Sequence, residues 1–141
     1  MAPGISRALD LLGKARVATL ATLGTDGRPH LVPIVFALDV DDLVSAVDGK
    51  PKTGPVLTRI RNIEREPLVS VLAHHYDEEW SRLWWVRVDG LATIEAAGAD
   101  FERSLIALRQ RYPQYESVAL DGPLIRIEIQ QATTWMASPN D

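Results

Sequence analysis

The sequence predicts a mainly β fold, a small six-stranded antiparallel barrel with helices at its periphery. Three observations carry that expectation. Runs of alternating apolar residues recur along the chain, the dipeptide Asp26-Gly27 favours a tight antiparallel turn, and helical periodicity is confined to three short segments. With 141 residues and no linker, repeat or low-complexity run, the chain reads as a single domain over 1–141.

Each element has its own warrant. Ser6 to Lys14 places Ala8, Leu9 and Leu12 at helical spacing behind a serine suited to cap a helix start. The segment "RVATLATLGTDGRPHLVPIVFAL" is the clearest hairpin, two strands flanking Asp26-Gly27. Pro29 and Pro33 remove ladder donors from its second strand, which sends that strand to a sheet edge or turns its backbone toward a ligand. A third strand is expected over Leu43 to Val47, after an aspartate-rich turn. A helix from about Pro55 to Glu66 would bury Val56, Ile60 and Ile63. "PLVSVLAHH" and "RLWWVRVDGLATIEA" read as strands, the second with Trp84, Val86, Val88, Ala92 and Ile94 on one face and Trp85, Arg87 and Asp89 on the other. "GADFERSLIALRQRY" is an amphipathic helix on Phe101, Leu105 and Leu108, and "PLIRIEIQ" closes the barrel with Ile125, Ile127 and Ile129 inward.

Composition narrows the function. Fifteen basic against nineteen acidic side chains leave a formal charge of −4, which tells against general binding to nucleic acid or anionic lipid. The absence of cysteine excludes disulfides, thiolate metal sites and a cysteine nucleophile, and gives no support to an oxidising compartment. Asp10, Lys14 and Arg16 interrupt the apolar residues near the start, unlike a signal or membrane-spanning segment, so a cytoplasmic location is expected.

Against that acidic background, residues 49–65 gather Lys50, Lys52, Arg59, Arg61 and Arg65 with Glu64 as the sole acid. Gly49 and Gly54 have the spacing of a Walker phosphate loop, but Pro55 and Val56 stand where that motif needs Lys and Ser or Thr. An anion site remains the better account, because lysines crowded on one loop repel each other unless a bound anion offsets the repulsion. Arg59 and Asn62 share one helix edge and reach one groove, whereas Arg61 and Arg65 read as a solvated helix surface.

The ordered series "ATLATLGTDGRPHLVPIVFAL", "VDGKPKTG", "LTRIRNIEREPLVSVL" and "WWVRVDGLATI" resembles the split β-barrel flavin and deazaflavin proteins related to pyridoxamine 5′-phosphate oxidase, in particular their coenzyme F420-dependent branch. The resemblance implies a homodimer with each cofactor in a groove between two barrels. By position, Pro33, Ile34, Val35 and Phe36 would flank the ring, and Val47, Asp48, Lys50 and Lys52 the ribityl and phosphate portion. Arg59 and Asn62 would hold the phosphate, and Trp85 would approach from the partner chain. The flavin mononucleotide (FMN) oxidases of this group carry an arginine and a lysine where Val32 and Ala37 stand here, which favours the longer, more anionic deazaflavin over FMN. The resemblance thus implies hydride transfer to a small electrophile, with an FMN enzyme or a non-catalytic flavin, deazaflavin or haem binder as alternatives.

No catalytic residue is assigned, since such a cofactor carries the hydride itself. His74 and His75 are strand neighbours pointing to opposite faces, a poor metal pair, and His30 reads as surface structure. Trp84 is expected in the core, while Trp80 and Trp135 fit the barrel, a dimer seam or a cofactor lid equally well.

Overall fold

A computed structural model describes residues 3–47 and 56–138. The helix α1 (Pro3–Lys14) starts three residues before the expected serine, with proline at its first position, where the missing N–H costs nothing. Its Ala8, Leu11 and Leu12 are buried in the main core. The strands β1 (Ala18–Leu23) and β2 (Pro29–Ile34) form the expected hairpin. Gly27 has φ 81°, its N–H donates to the Gly24 carbonyl (3.0 Å), and the Asp26 carboxylate accepts from the Arg28 N–H (3.0 Å). Positive φ at the end of such a loop is what glycine supplies.

The remaining strands are β3 (Ala37–Asp39), β4 (Asp42–Ala46), β5 (Leu68–His75), β6 (Trp84–Glu95) and β7 (Leu124–Met136), with α2 (Thr58–Arg65) and α3 (Ala99–Arg111) between them. They form one antiparallel sheet in the order β2-β1-β5-β6-β7-β4-β3. The two edge strands, β2 and β3, are consecutive in the chain and joined by Val35 and Phe36 alone, so the sheet must curl to bring its edges near each other at that link, without pairing. The fold is therefore the expected mainly β barrel, with seven strands rather than six.

The extra strand comes from a break in what reads as one apolar run. Phe36 is fully buried, its N–H donates to the Tyr112 hydroxyl (3.1 Å), and its carbonyl accepts from the same hydroxyl (2.8 Å). With both backbone groups taken by a side chain, Phe36 leaves the ladder and the chain crosses from one sheet edge to the other. β2 lies at an edge, as its prolines require.

The helix α2 is shorter than expected; Ile60 and Ile63 are buried, but Val56 precedes the helix and is exposed. β7 is longer than expected because Gln130 is an extra residue in its ladder with β6, between the pairs Gly90↔Ile129 and Asp89↔Gln131. This bulge changes the inward set from Ile125, Ile127 and Ile129 to Ala132 and Met136, letting the strand run on beyond its apolar stretch. A Cβ on Gly90 would lie 2.2 Å from the Glu128 carbonyl oxygen, so only glycine fits beside the bulge.

Two cores result. The barrel interior packs Leu20, Val71, Val86, Val88, Leu43 and Ile127 under α1, while Phe101, Leu105 and Leu108 of α3 cover Val44 and Leu124. Polar groups fasten α3 to the sheet. Asp39, nearly buried, accepts from Arg103 Nε (2.8 Å), Ser104 Oγ (2.7 Å) and Arg126 Nη1 (3.2 Å). The adjacent Arg103 guanidinium holds the Asp39 carboxyl down at about 2, with Ser104 and Arg126 acting the same way against the cost of burial. Among the described residues no helix is long and apolar enough to cross a membrane.

Candidate functional site

The helix α2 is held against the β1–β2 hairpin by two side chains. Asn62 is buried and its Nδ2 donates to Thr22 Oγ1 (3.0 Å), and Arg65 Nη2 donates to the Leu23 carbonyl. Between the hairpin and this helix lies a notch of about 320 Å³ lined in part by His30, Thr58 and Asn62. Arg59 is half-buried on the same helix. Basic α2 thus flanks the hairpin end of β2, at the level where Thr22 pairs with His30.

The opposite end of β2 opens into a larger pocket, of about 490 Å³, lined by Arg16, Val35, Tyr112, Gln114, Tyr115 and Val118. Val35 is half-buried there, and its carbonyl accepts from Ser45 Oγ (2.8 Å). From His30 to Val35 the extended chain spans about 17 Å at the usual strand rise per residue. Among the described residues no strand pairs with the outer edge of β2, which leaves a track between basic helix and pocket.

The expected cofactor residues meet this track only in part. Pro33 is exposed, and Val35 faces the pocket. Ile34, Phe36 and Val47 are buried core side chains, so any part they take in a site is as its wall; the Val47 N–H is bonded to the Pro123 carbonyl (2.9 Å). Arg59 and Asn62 are brought together on α2, though the Asn62 amide turns inward to Thr22. Asp48, Lys50 and Lys52 lie outside the described residues. Trp85 stands apart, on the outward face of β6, where the Arg87 guanidinium lies 5.9 Å from its ring.

Trp85 belongs to a mixed outer face. On its row it pairs with His74 and Trp135; the next row carries Thr133, Arg87, Leu72, Thr19 and Pro33, and the one after Gln131, Asp89, Ser70, Ala21 and Leu31. Leu31 is 63% exposed, Trp135 44% and Leu72 40%. His75 instead stacks on Trp84 (5.9 Å between centroids), which packs against the main core.

Sequence reasoning missed the group at the far end of the track. Arg16, Arg111 and Tyr112 converge there; the single Tyr112 hydroxyl proton is shared between the Phe36 carbonyl and the Arg16 carbonyl (3.0 Å), and the hydroxyl accepts from Arg111 Nε (3.2 Å). The only local signal is "RQRYPQY", two arginines and two tyrosines around the proline that ends α3.

Solved structures share this architecture. A conserved hypothetical protein of Mycobacterium tuberculosis aligns with a TM-score of 0.76 at 23% identity, over 97% of this chain and 86% of its own. A Listeria innocua protein named for pyridoxamine 5′-phosphate oxidase aligns at 0.67 and 22%, over 92% and 96%. The haem storage protein HutZ of Vibrio cholerae aligns at 0.69 and 15%, over 93% of this chain and 92% of its own. At such identities the likeness speaks for the fold alone. No curated protein matches the sequence. The family model of pyridoxamine 5′-phosphate oxidase matches residues 6–136, nearly the whole chain, and the chain belongs to that family.

Proposed function

We propose that this protein is a homodimeric oxidoreductase that binds a deazaflavin, coenzyme F420, along β2 and passes hydride to a small electrophilic substrate. The observation that carries the reading is the open edge of β2, running from the basic helix α2 to the pocket at Val35. A tricyclic ring can lie at the Pro33–Val35 end while its ribityl phosphate reaches Arg59. Val32 and Ala37 support the deazaflavin over FMN. Val32 packs against the main core and Ala37 is buried in the second, so neither position offers a cation for a compact phosphate. Anchoring would then fall to α2 and to Lys50 and Lys52, a spread of charge suited to a longer anionic tail.

The residues present fit such a group, and their work is positional. When bound, the deazaflavin supplies the hydride, so the protein needs no acid or base of its own. Pro33 offers a rigid, donor-free surface to a flat ring. Arg59 would supply positive field at the tail end. The exposed Leu31, Leu72 and Trp135 on the outer face beside Trp85 suit a second copy of the chain, which would bring Trp85 to its partner's site and exclude water from it.

Titration of purified protein with coenzyme F420 and with FMN, followed by tryptophan fluorescence, tests this reading. The expected result is F420 binding at least about tenfold tighter than FMN, a difference of about 1.4 kcal/mol, weakening as salt rises. FMN binding as tightly as F420, or more tightly, would overturn the choice of cofactor.

A further inference from the structure

We propose that the pocket at Val35 is a binding site for a planar aromatic carboxylate, with Arg16 as its anion-binding residue. The pocket, about 490 Å³, is of the size that takes a small organic molecule. Its walls are largely aromatic and aliphatic. Tyr112 and Tyr115 are both buried and meet edge to face at 6.1 Å, and Val35 and Val118 complete the apolar surface.

Charge at this pocket is one-sided. The Arg16 guanidinium lies 4.8 Å from the centre of the Tyr112 ring, and its Nη2 donates to the Arg111 carbonyl (2.7 Å). Stacking and that bond pin an otherwise exposed side chain, leaving its other N–H groups for a ligand. Arg111 does not line the pocket but lies close by, 5.7 Å from the Tyr112 ring and 4.9 Å from that of Phe36. Its donors go to the Leu12 and Ala15 carbonyls and the Tyr112 hydroxyl, which solvate the cation without neutralising it. The ion pairs among the described residues engage Arg28, Arg82, Arg87, Arg103 and Arg126, and neither Arg16 nor Arg111. In a chain with net charge −4, the Arg16 guanidinium on the pocket wall, with no carboxylate partner among the described residues and a second such cation beside Tyr112, favours an anion there.

The shape of the donors selects among anions. A single guanidinium edge matches a carboxylate in a two-pronged geometry, and the apolar walls match an aromatic ring. A phosphate dianion would want further donors, and Tyr112 has already committed its hydroxyl to Phe36. As a substrate site this rests on the proposed cofactor reading, because Val35 would place the acid beside the ring; as an anion site it stands without any cofactor.

The test uses benzoate as probe on cofactor-free protein, by isothermal titration calorimetry, with neutral benzamide as control. Saturable benzoate binding is expected, weakened at least about tenfold in Arg16→Gln, and benzamide should bind at least about tenfold more weakly than benzoate. Val118→Trp, a change at a partly exposed wall position, should block the pocket and abolish benzoate binding while unfolding at the temperature of the wild type. Equal benzoate affinity in wild type and Arg16→Gln, equal affinity for benzamide, or no saturation up to about 10 mM benzoate would each overturn the proposal. Failure of both F420 and FMN to bind would overturn the cofactor reading and leave the benzoate result standing.

Discussion

Replacing Tyr112 with Phe removes one oxygen and keeps the ring. That hydroxyl is within 3.1 Å of the Phe36 N–H and 2.8 Å of the Phe36 carbonyl, and it lies 3.2 Å from Arg111 Nε. Phe36 is fully buried, so its N–H and carbonyl lose their partner where water cannot replace it. An unsatisfied buried donor costs about 1–3 kcal/mol, and the bond to a charged group adds to that, for a total of about 2–3 kcal/mol. At the usual entropy of unfolding per residue, a chain of this length loses about 3 °C in melting temperature per kcal/mol. Scanning calorimetry should therefore place the Tyr112→Phe midpoint about 6–9 °C below wild type. A midpoint within about 2 °C of wild type would refute the claim that Tyr112 holds the junction between the sheet's two edges.

Three further outcomes are expected. Asp39 has its carboxyl held at about 2, below its ordinary 3.8, so the stability it contributes is present above pH 4 and is lost as pH falls from about 4 to about 2. Allowing for water around the half-exposed Arg103, that is about 1–2 kcal/mol, and urea unfolding between pH 7 and pH 2 should show a flatter pH dependence in Asp39→Asn. Gly90→Ala should destabilise by more than about 2 kcal/mol or leave the protein insoluble, because its Cβ would meet a backbone oxygen at 2.2 Å; a wild-type denaturation curve would contradict that geometry. Leu72→Glu, on the outer face, should yield a folded monomer by light scattering and circular dichroism, with cofactor binding weakened at least about tenfold; a dimer of wild-type affinity would remove this face from the interface.

Local chemistry made much of the fold legible. Asp26-Gly27 marks a real turn, Pro29 and Pro33 mark a real edge, and Phe101, Leu105 and Leu108 line the buried side of α3. What stayed hidden depends on residues far apart in the chain. The break at Val35–Phe36 lies inside a continuous apolar run and is set by Tyr112, 76 positions later. The Asp39 network joins residues separated by 64 and 87 positions. The second half of β7, "QQATTW", lacks an apolar alternation and forms because β6 is long enough to pair with it.

The site shows the same division. That Arg59 and Asn62 share a helix edge follows from their spacing, but the burial of Asn62 against Thr22 follows from how α2 docks on β1. The pocket at Val35 draws Arg16 from before β1, Val35 from between strands and Tyr112 from the end of α3, so no contiguous motif announces it.

The most direct measurement is a crystal structure of the protein with coenzyme F420. The account predicts a dimer with the deazaflavin ring beside Pro33 and Val35, its phosphate toward Arg59, and Trp85 of the partner subunit closing the groove. Density for the ring away from β2, or a dimer that leaves the face of Leu31, Leu72 and Trp135 in solvent, would contradict it.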